Sequence, residues 1–235
     1  MISKEVIAMG VIVLVTMIFS ACIMPFMKKI AHHIGAIDYP SKKEGNRHIH
    51  QKATPKLGGV GIFLAFLFGY MLFGHHSIKM NAILIGSFII VLTGIIDDIK
   101  PIKASQKLIG QVIAALIIAC YGKILLQNIS AFGYVIDFGI FTYPITVIFI
   151  VACVNIINLI DGIDGLSGGI SSIFYLTVGI ISLSQARYGS LEILLAFIML
   201  GATLGFLIHN FNPASIFAGD CSMFMGFLIA VITLL

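Results

Sequence analysis

Residues 143–160, YPITVIFIVACVNIINLI, decide the fold. The run carries no charge, and as a helix rising about 1.5 Å per residue it reaches about 27 Å, close to the roughly 30 Å of a bilayer's hydrocarbon core. It continues directly into DGIDGLSGG, residues 161–169. An apolar span that ends in asparagine, aspartate and glycine has a membrane-buried body and a polar tip, and the rest of the chain repeats that pattern.

Seven further apolar runs are read as spans: Val6 to Phe26, Leu57 to Gly74, Met80 to Ile96, Leu108 to Leu126, Ile170 to Ser184, Leu191 to His209 and Cys221 to Leu235. The Ile170 run and the last run are short for a full crossing. Composition agrees: 59% of the 235 residues are apolar and 10% are charged, against roughly 45–50% and 25% in soluble domains. The sequence therefore predicts an all-α, polytopic membrane bundle of about eight transmembrane helices. Residues 1–235 read as one transmembrane domain without an internal repeat. A net charge of +4, scattered along the chain, does not make a nucleic-acid stripe.

Lysine and arginine positions set the orientation, because cytoplasmic loops carry their excess. With the N-terminus outside, ten of the fourteen fall in the inner loops 27–56 and 97–107: Lys28, Lys29, Lys42, Lys43, Arg47, Lys52, Lys56, Lys100, Lys103 and Lys107. Lys4, Lys79, Lys123 and Arg187 remain outside. On the same assignment seven of the ten acids lie inside: Asp38, Glu44, Asp97, Asp98, Asp161, Asp164 and Asp220. A polar site on one membrane face follows. The first run is too long for a signal-peptide core and is followed by Lys28 and Lys29 rather than a small-residue cleavage site, so it is expected to stay attached.

Four blocks carry the chemistry. GIIDDIKPI ends the third span with Asp97 beside Asp98, a pair that repels itself unless a cation lies close, and hard oxygen ligands suit Mg²⁺. A solvated helix end is the plainer reading. In NIINLIDGIDGLSGG, residues Asn155, Asn158, Asp161 and Asp164 recur every three positions and form one polar ribbon if the helix persists. HNFNPASIFAGD closes the seventh span, and its Asp220 either caps the last helix or acts chemically. Phe217 either stacks on a planar base or packs in the core. HQKATPKLGG, residues 50–59, sets Lys52 and Lys56 around Pro55 ahead of two glycines, as cations able to meet phosphate.

The plainer readings are preferred elsewhere. Cys22, Cys120, Cys153 and Cys221 show no paired spacing and are read as packing residues. The histidine pairs are read as wet loops. Gly201 and Gly205, like Gly58, Gly59, Gly61 and Gly69, are read as helix-packing surfaces.

Taken in order, the four blocks resemble the polyprenyl-phosphate N-acetylhexosamine-1-phosphate transferases, and most resemble the bacterial UDP-GlcNAc:undecaprenyl-phosphate GlcNAc-1-phosphate transferase branch. The likeness runs from about residue 20 to the end. It implies a multi-pass enzyme of the bacterial plasma membrane with its active site on the cytoplasmic face. That enzyme would move a sugar 1-phosphate from a UDP-sugar to undecaprenyl phosphate, release UMP and initiate teichoic-acid or surface-polysaccharide synthesis. Mg²⁺, or alternatively Mn²⁺, is the implied cofactor, and a homodimer is left open.

Position by position, the resemblance makes Asp97, Asp98 and Asp220 metal ligands, with Asp97 and Asp98 catalytic. Asn158, Asp161 and Asp164 fall beside the nucleotide and Asn210 and Phe217 near the uridine, while Lys52 or Lys56 contacts the diphosphate. Asp97 and Asp220 would hold the metal and Asp98 would orient or deprotonate the lipid phosphate, with a covalent aspartyl intermediate as the alternative. Two departures accompany it: Gly219-Asp220-Cys221-Ser222 is one residue short of the family's GDxGS, and the chain stops at Leu235, ahead of the family's later spans and its His-rich last loop. An inactive truncated remnant is therefore a competing expectation. A cation or solute transporter is the rival class, although it would place polar groups near the midplane and show a related second half.

Overall fold

The computed structural model describes residues 2–39, 53–131, 133–185 and 189–235. Its helices are α1 (Ile2–Ile34), α2 (Gly58–Phe73), α3 (Ile78–Ile99), α4 (Ala104–Leu116), α5 (Thr142–Ile160), α6 (Leu166–Ser184), α7 (Leu191–Asn210) and α8 (Met223–Leu234). Two short antiparallel pairs accompany them. Ile37–Asp38 (β1) pairs with Thr54–Pro55 (β2), and Asn128–Ala131 (β3) pairs with Tyr134–Asp137 (β4).

The eight expected runs are the eight helices, and the all-α membrane reading holds. Six helices are long and apolar enough to cross a membrane, while those over Gly58–Phe73 and Gly219–Leu234 are shorter. The sequence expected the sixth run to be short. Instead α6 spans 19 residues, because Gly165, at φ +72°, turns the chain and lets the helix start at Leu166. The second run is the shorter one: α2 stops at Phe73, with Gly74 in extended conformation. The fourth run changes form within itself, as α4 gives way to a π-helical turn over Ile117–Tyr121.

Helix α7 is central. It packs along α1, α2 and α6, and nearly its whole length is buried. The Gly201 and Gly205 pair works as expected: a Cβ on Gly201 would lie 2.4 Å from the Val13 carbonyl oxygen, and one on Gly205 2.3 Å from that of Met17. Small residues let α1 and α7 pack backbone to backbone. On the other side α8 lies against α5, where Gly226 meets the Cys153 and Val154 backbone. The four cysteines are free thiols.

Candidate active site

The acidic residues meet where one end of α3, α4 and α5 surrounds the segment between α7 and α8. That segment, residues 211–222, is held from two sides. The Phe217 N–H donates to the Pro55 carbonyl at 2.8 Å, while the first amides of α2, Gly58 and Gly59, donate to the Phe217 and Ala218 carbonyls at 2.8 and 3.0 Å. Helix-start amides that have no partner of their own thereby hold the loop. The segment approaches closely because glycines face it: a Cβ on Gly59 would lie 2.6 Å from Cys221, and one on Gly94 2.8 Å from the Cys221 nitrogen. Pro55, Gly58 and Gly59 of the HQKATPKLGG block thus clamp this segment by its backbone.

Asp97 and Asp98 part company here. Asp98 is 8% exposed and accepts the Asp220 N–H with both carboxylate oxygens, each at 3.0 Å. Asp97 faces the other way. Its Oδ1 accepts from the Ile102 N–H at 2.9 Å, and its Oδ2 lies 3.0 Å from Lys107 Nζ. The Asp220 carboxylate, in a 3-10 turn over Gly219–Ser222, pairs with the same ammonium and accepts from Asn158 Nδ2 at 3.2 Å. The N-cap position of α8 is Ser222, and Asp220 lies two residues earlier, in the first turn of the 3-10 segment. Asn158 completes the group, accepting from Lys107 Nζ at 3.2 Å and donating to Ser222 Oγ at 3.1 Å.

Lys107 is therefore the hub of the site, yet the sequence reading counted it only as a topological charge. The missed signal is its spacing with Gln111. One helical turn apart, they share a face of an apolar span, and Gln111 is buried in a reciprocal amide pair with Asn155, at 2.7 and 3.2 Å.

The expected polar ribbon does not form, because α5 ends at Ile160 and the glycines that follow redirect the chain. Asn155 binds Gln111, Asn158 joins the acids, and Asp161 accepts from the Ser167 hydroxyl. Burial raises the Asp161 carboxyl to about 8; the Ser167 and Gly219 hydrogen bonds oppose that rise, and the Asp98 and Asp220 charges add to it. Although Asp161 keeps some accessible surface, the protein packed around its carboxyl governs its titration. Asp164 Oδ2 accepts from Asn212 Nδ2 at 3.0 Å and the Ala214 N–H at 2.9 Å.

Asn210 is fully engaged. Its Oδ1 accepts from the Gly165 N–H at 3.0 Å and its Nδ2 donates to the Ile216 carbonyl at 2.9 Å. With Asp164 it ties the 161–165 turn to the 211–217 segment. Phe217 is buried. Lys56 lies at the edge, 3.5 Å from Asp38 Oδ1, while Lys52 lies outside the described residues.

Among the described residues no group of three His, Cys, Asp or Glu side chains is arranged to hold a metal. The donor set nevertheless suits a hard cation. Carboxylate oxygens of Asp97 and Asp220 and the amide oxygen of Asn158 converge on one point, where the Lys107 ammonium sits. Mg²⁺ is commonly held by one or two carboxylates completed by substrate phosphates and water.

The model of glycosyl transferase family 4 matches residues 80–235. The chain is 37% identical to the probable undecaprenyl-phosphate N-acetylglucosaminyl 1-phosphate transferase of Bacillus subtilis, across all of this chain and 65% of that protein. It is 29% identical to the decaprenyl-phosphate N-acetylglucosaminephosphotransferase of Mycobacterium tuberculosis, covering 87% of this chain and 54% of that one. To the phospho-N-acetylmuramoyl-pentapeptide-transferase of a Thermoanaerobacter species it is 30% identical, over 94% and 71%. The chain thus spans between about half and about seven tenths of these curated relatives.

Proposed function

Because this chain belongs to glycosyl transferase family 4, we propose that it transfers GlcNAc 1-phosphate from UDP-GlcNAc to undecaprenyl phosphate and releases UMP. The transfer would take place at the cytoplasmic face of a bacterial plasma membrane and begin a teichoic acid or surface polysaccharide. The observation that supports this reading most is the meeting of Asp97, Asp220, Asn158 and Lys107 at one end of the helices. A polar site at a membrane boundary serves a reaction with one water-borne and one lipid-borne substrate.

The acceptor phosphate oxygen attacks the phosphorus attached to the sugar, the diphosphate bridge breaks, and UMP leaves with the bridging oxygen. A phosphate monoester with a second pKa of about 6 is already mostly dianionic near neutrality, so no strong base is required. Asp97, Asp220 and the Asn158 carbonyl would hold Mg²⁺ or Mn²⁺. When bound, such an ion screens the negative charge and polarises the phosphorus under attack.

The Lys107 ammonium, held among the same oxygens, would contact phosphate oxygens, Lys56 would do so from the rim, and Lys52 is proposed as a further phosphate contact. Asp98 fixes the Gly219-Asp220 turn with both oxygens, so its role here is to position Asp220. Asn210 and Asp164 hold the 211–217 segment, against which the uridine would rest. The test is UMP release by the purified protein given UDP-GlcNAc, undecaprenyl phosphate and Mg²⁺. Mg²⁺-dependent release is expected, and folded protein that releases none overturns the reading.

A further inference from the structure

The end of the bundle opposite the acids carries a β-hairpin, Asn128–Ala131 paired with Tyr134–Asp137, that the proposed transfer does not draw on. Strand register places Ile129 opposite Ile136 and Ser130 opposite Val135, with Asn128 opposite Asp137. Directly opposed residues share a face and successive residues alternate. One face therefore presents Ile129, Tyr134 and Ile136, at 48%, 77% and 61% exposure. The other presents Asn128, Ser130, Val135 and Asp137. The hairpin is amphipathic, and its apolar face is exposed at all three of its positions.

Its attachment fixes what covers that face. The flanking spans Ala104–Tyr121 and Gly139–Ile160 have 18 and 22 residues, or about 27 and 33 Å as helices, which matches a hydrocarbon core of about 30 Å. The hairpin begins where they end. At its base the Phe138 N–H donates to the Gln127 carbonyl at 3.0 Å, and the Leu126 N–H to Thr146 Oγ1, one turn inside α5, at 2.9 Å. Lys123 Nζ reaches the Tyr143 hydroxyl at 3.3 Å. Exposed Tyr121, Tyr134 and Tyr143 with this lysine make the ring of amphipathic side chains found at bilayer boundaries. An isolated two-stranded hairpin is marginal in water, whereas a lipid boundary accepts both of its faces.

We propose that this hairpin is a membrane-surface anchor: on the face of the bilayer opposite the acidic site, it lies in the boundary between lipid headgroups and acyl chains, with Ile129, Tyr134 and Ile136 toward the lipid. The inference rests on the membrane reading and is independent of the transferase activity. The chain contains no tryptophan, so one introduced indole reports its own surroundings. Tyr134→Trp, Ile136→Trp and Val135→Trp, all at exposed positions that tolerate the larger ring, are reconstituted in phosphatidylglycerol vesicles with or without bromine on the upper acyl chain. Brominated lipid is expected to remove roughly half or more of the emission at 134 and 136 but little at 135, as an interfacial depth requires, while acrylamide in the water shows the reverse order. Efficient acrylamide quenching at all three, a hairpin standing in water, overturns the proposal. So does protection of 134 and 136 from both quenchers, which would mean a protein partner such as a second copy covers the face.

Discussion

Asp98 grips Asp220 by its backbone, each carboxylate oxygen lying 3.0 Å from the Asp220 nitrogen across 122 residues of sequence. The neighbouring Asp97 instead shares a cation with the Asp220 side chain. Two adjacent carboxylates thus address the same residue in different ways, one fixing its place and the other sharing its charge.

Asp98→Asn tests the first of these. The amide keeps one acceptor but can turn an N–H toward the Asp220 N–H, at a cost of about 1–3 kcal/mol for a buried group left badly paired. Thermal unfolding should fall accordingly, and turnover by about tenfold or more as Asp220 loses its placement. A variant that melts and turns over like the parent would remove Asp98 from this role.

Lys107→Met leaves Asp97 and Asp220 converging on an empty position. All three side chains keep some exposure, so the loss should be about 1–3 kcal/mol, below that of a fully buried pair. Added Mg²⁺ should raise the melting temperature of the variant more than that of the parent, since it supplies the missing charge. An equal response from both proteins would contradict a shared cation position.

Gly219 has a φ of +70°, and a Cβ there would lie 2.3 Å from the Lys56 carbonyl oxygen and 2.6 Å from Asp98 Oδ2. Gly219→Ala should therefore lose at least about 1–3 kcal/mol through backbone strain and crowding, and lose transfer with it. Gly10→Ala, with nothing within 4 Å of the added carbon, is the control expected to melt at or above the parent temperature. Equal melting of the two variants would show that the turn is not constrained.

Asp161 gives a pH signature. Its folded value of about 8 lies above the roughly 3.9 of an unfolded aspartate, so the folded chain binds the extra proton. Stability from this group is present below the unfolded value and is lost as pH rises toward 8. Asp161→Asn should flatten that fall, so that wild type loses melting temperature relative to the variant between about pH 5 and about pH 9. Parallel profiles would show that Asp161 is not held protonated.

The bundle was legible because apolar runs near twenty residues have few alternatives to membrane helices, as α5 and α7 show. The packing glycines were legible for the same reason, since Gly201 and Gly205 have no other use in an apolar helix. The site was legible only in part. Asp97, Asp98, Asn158 and Asp220 announced themselves as polar groups at span ends, but nothing in an adjacent pair says that its members face different partners. Extending the three-residue rhythm past Ile160 assumed a helix that Gly162 and Gly165 end. Lys107 escaped because a lysine near a membrane boundary already had an explanation, and only its spacing to Gln111 pointed inward.

The central claim is that Asp97 and Asp220, from distant parts of the chain, act as one cation-holding unit in transfer. Turnover of Asp97→Asn, Asp220→Asn and the double variant, measured as UMP release, tests it most directly. Each single change should cost about a hundredfold or more, and the double variant should be scarcely worse than either, as for residues that act together. Losses that multiply in the double variant, or a single variant with full turnover, would contradict it.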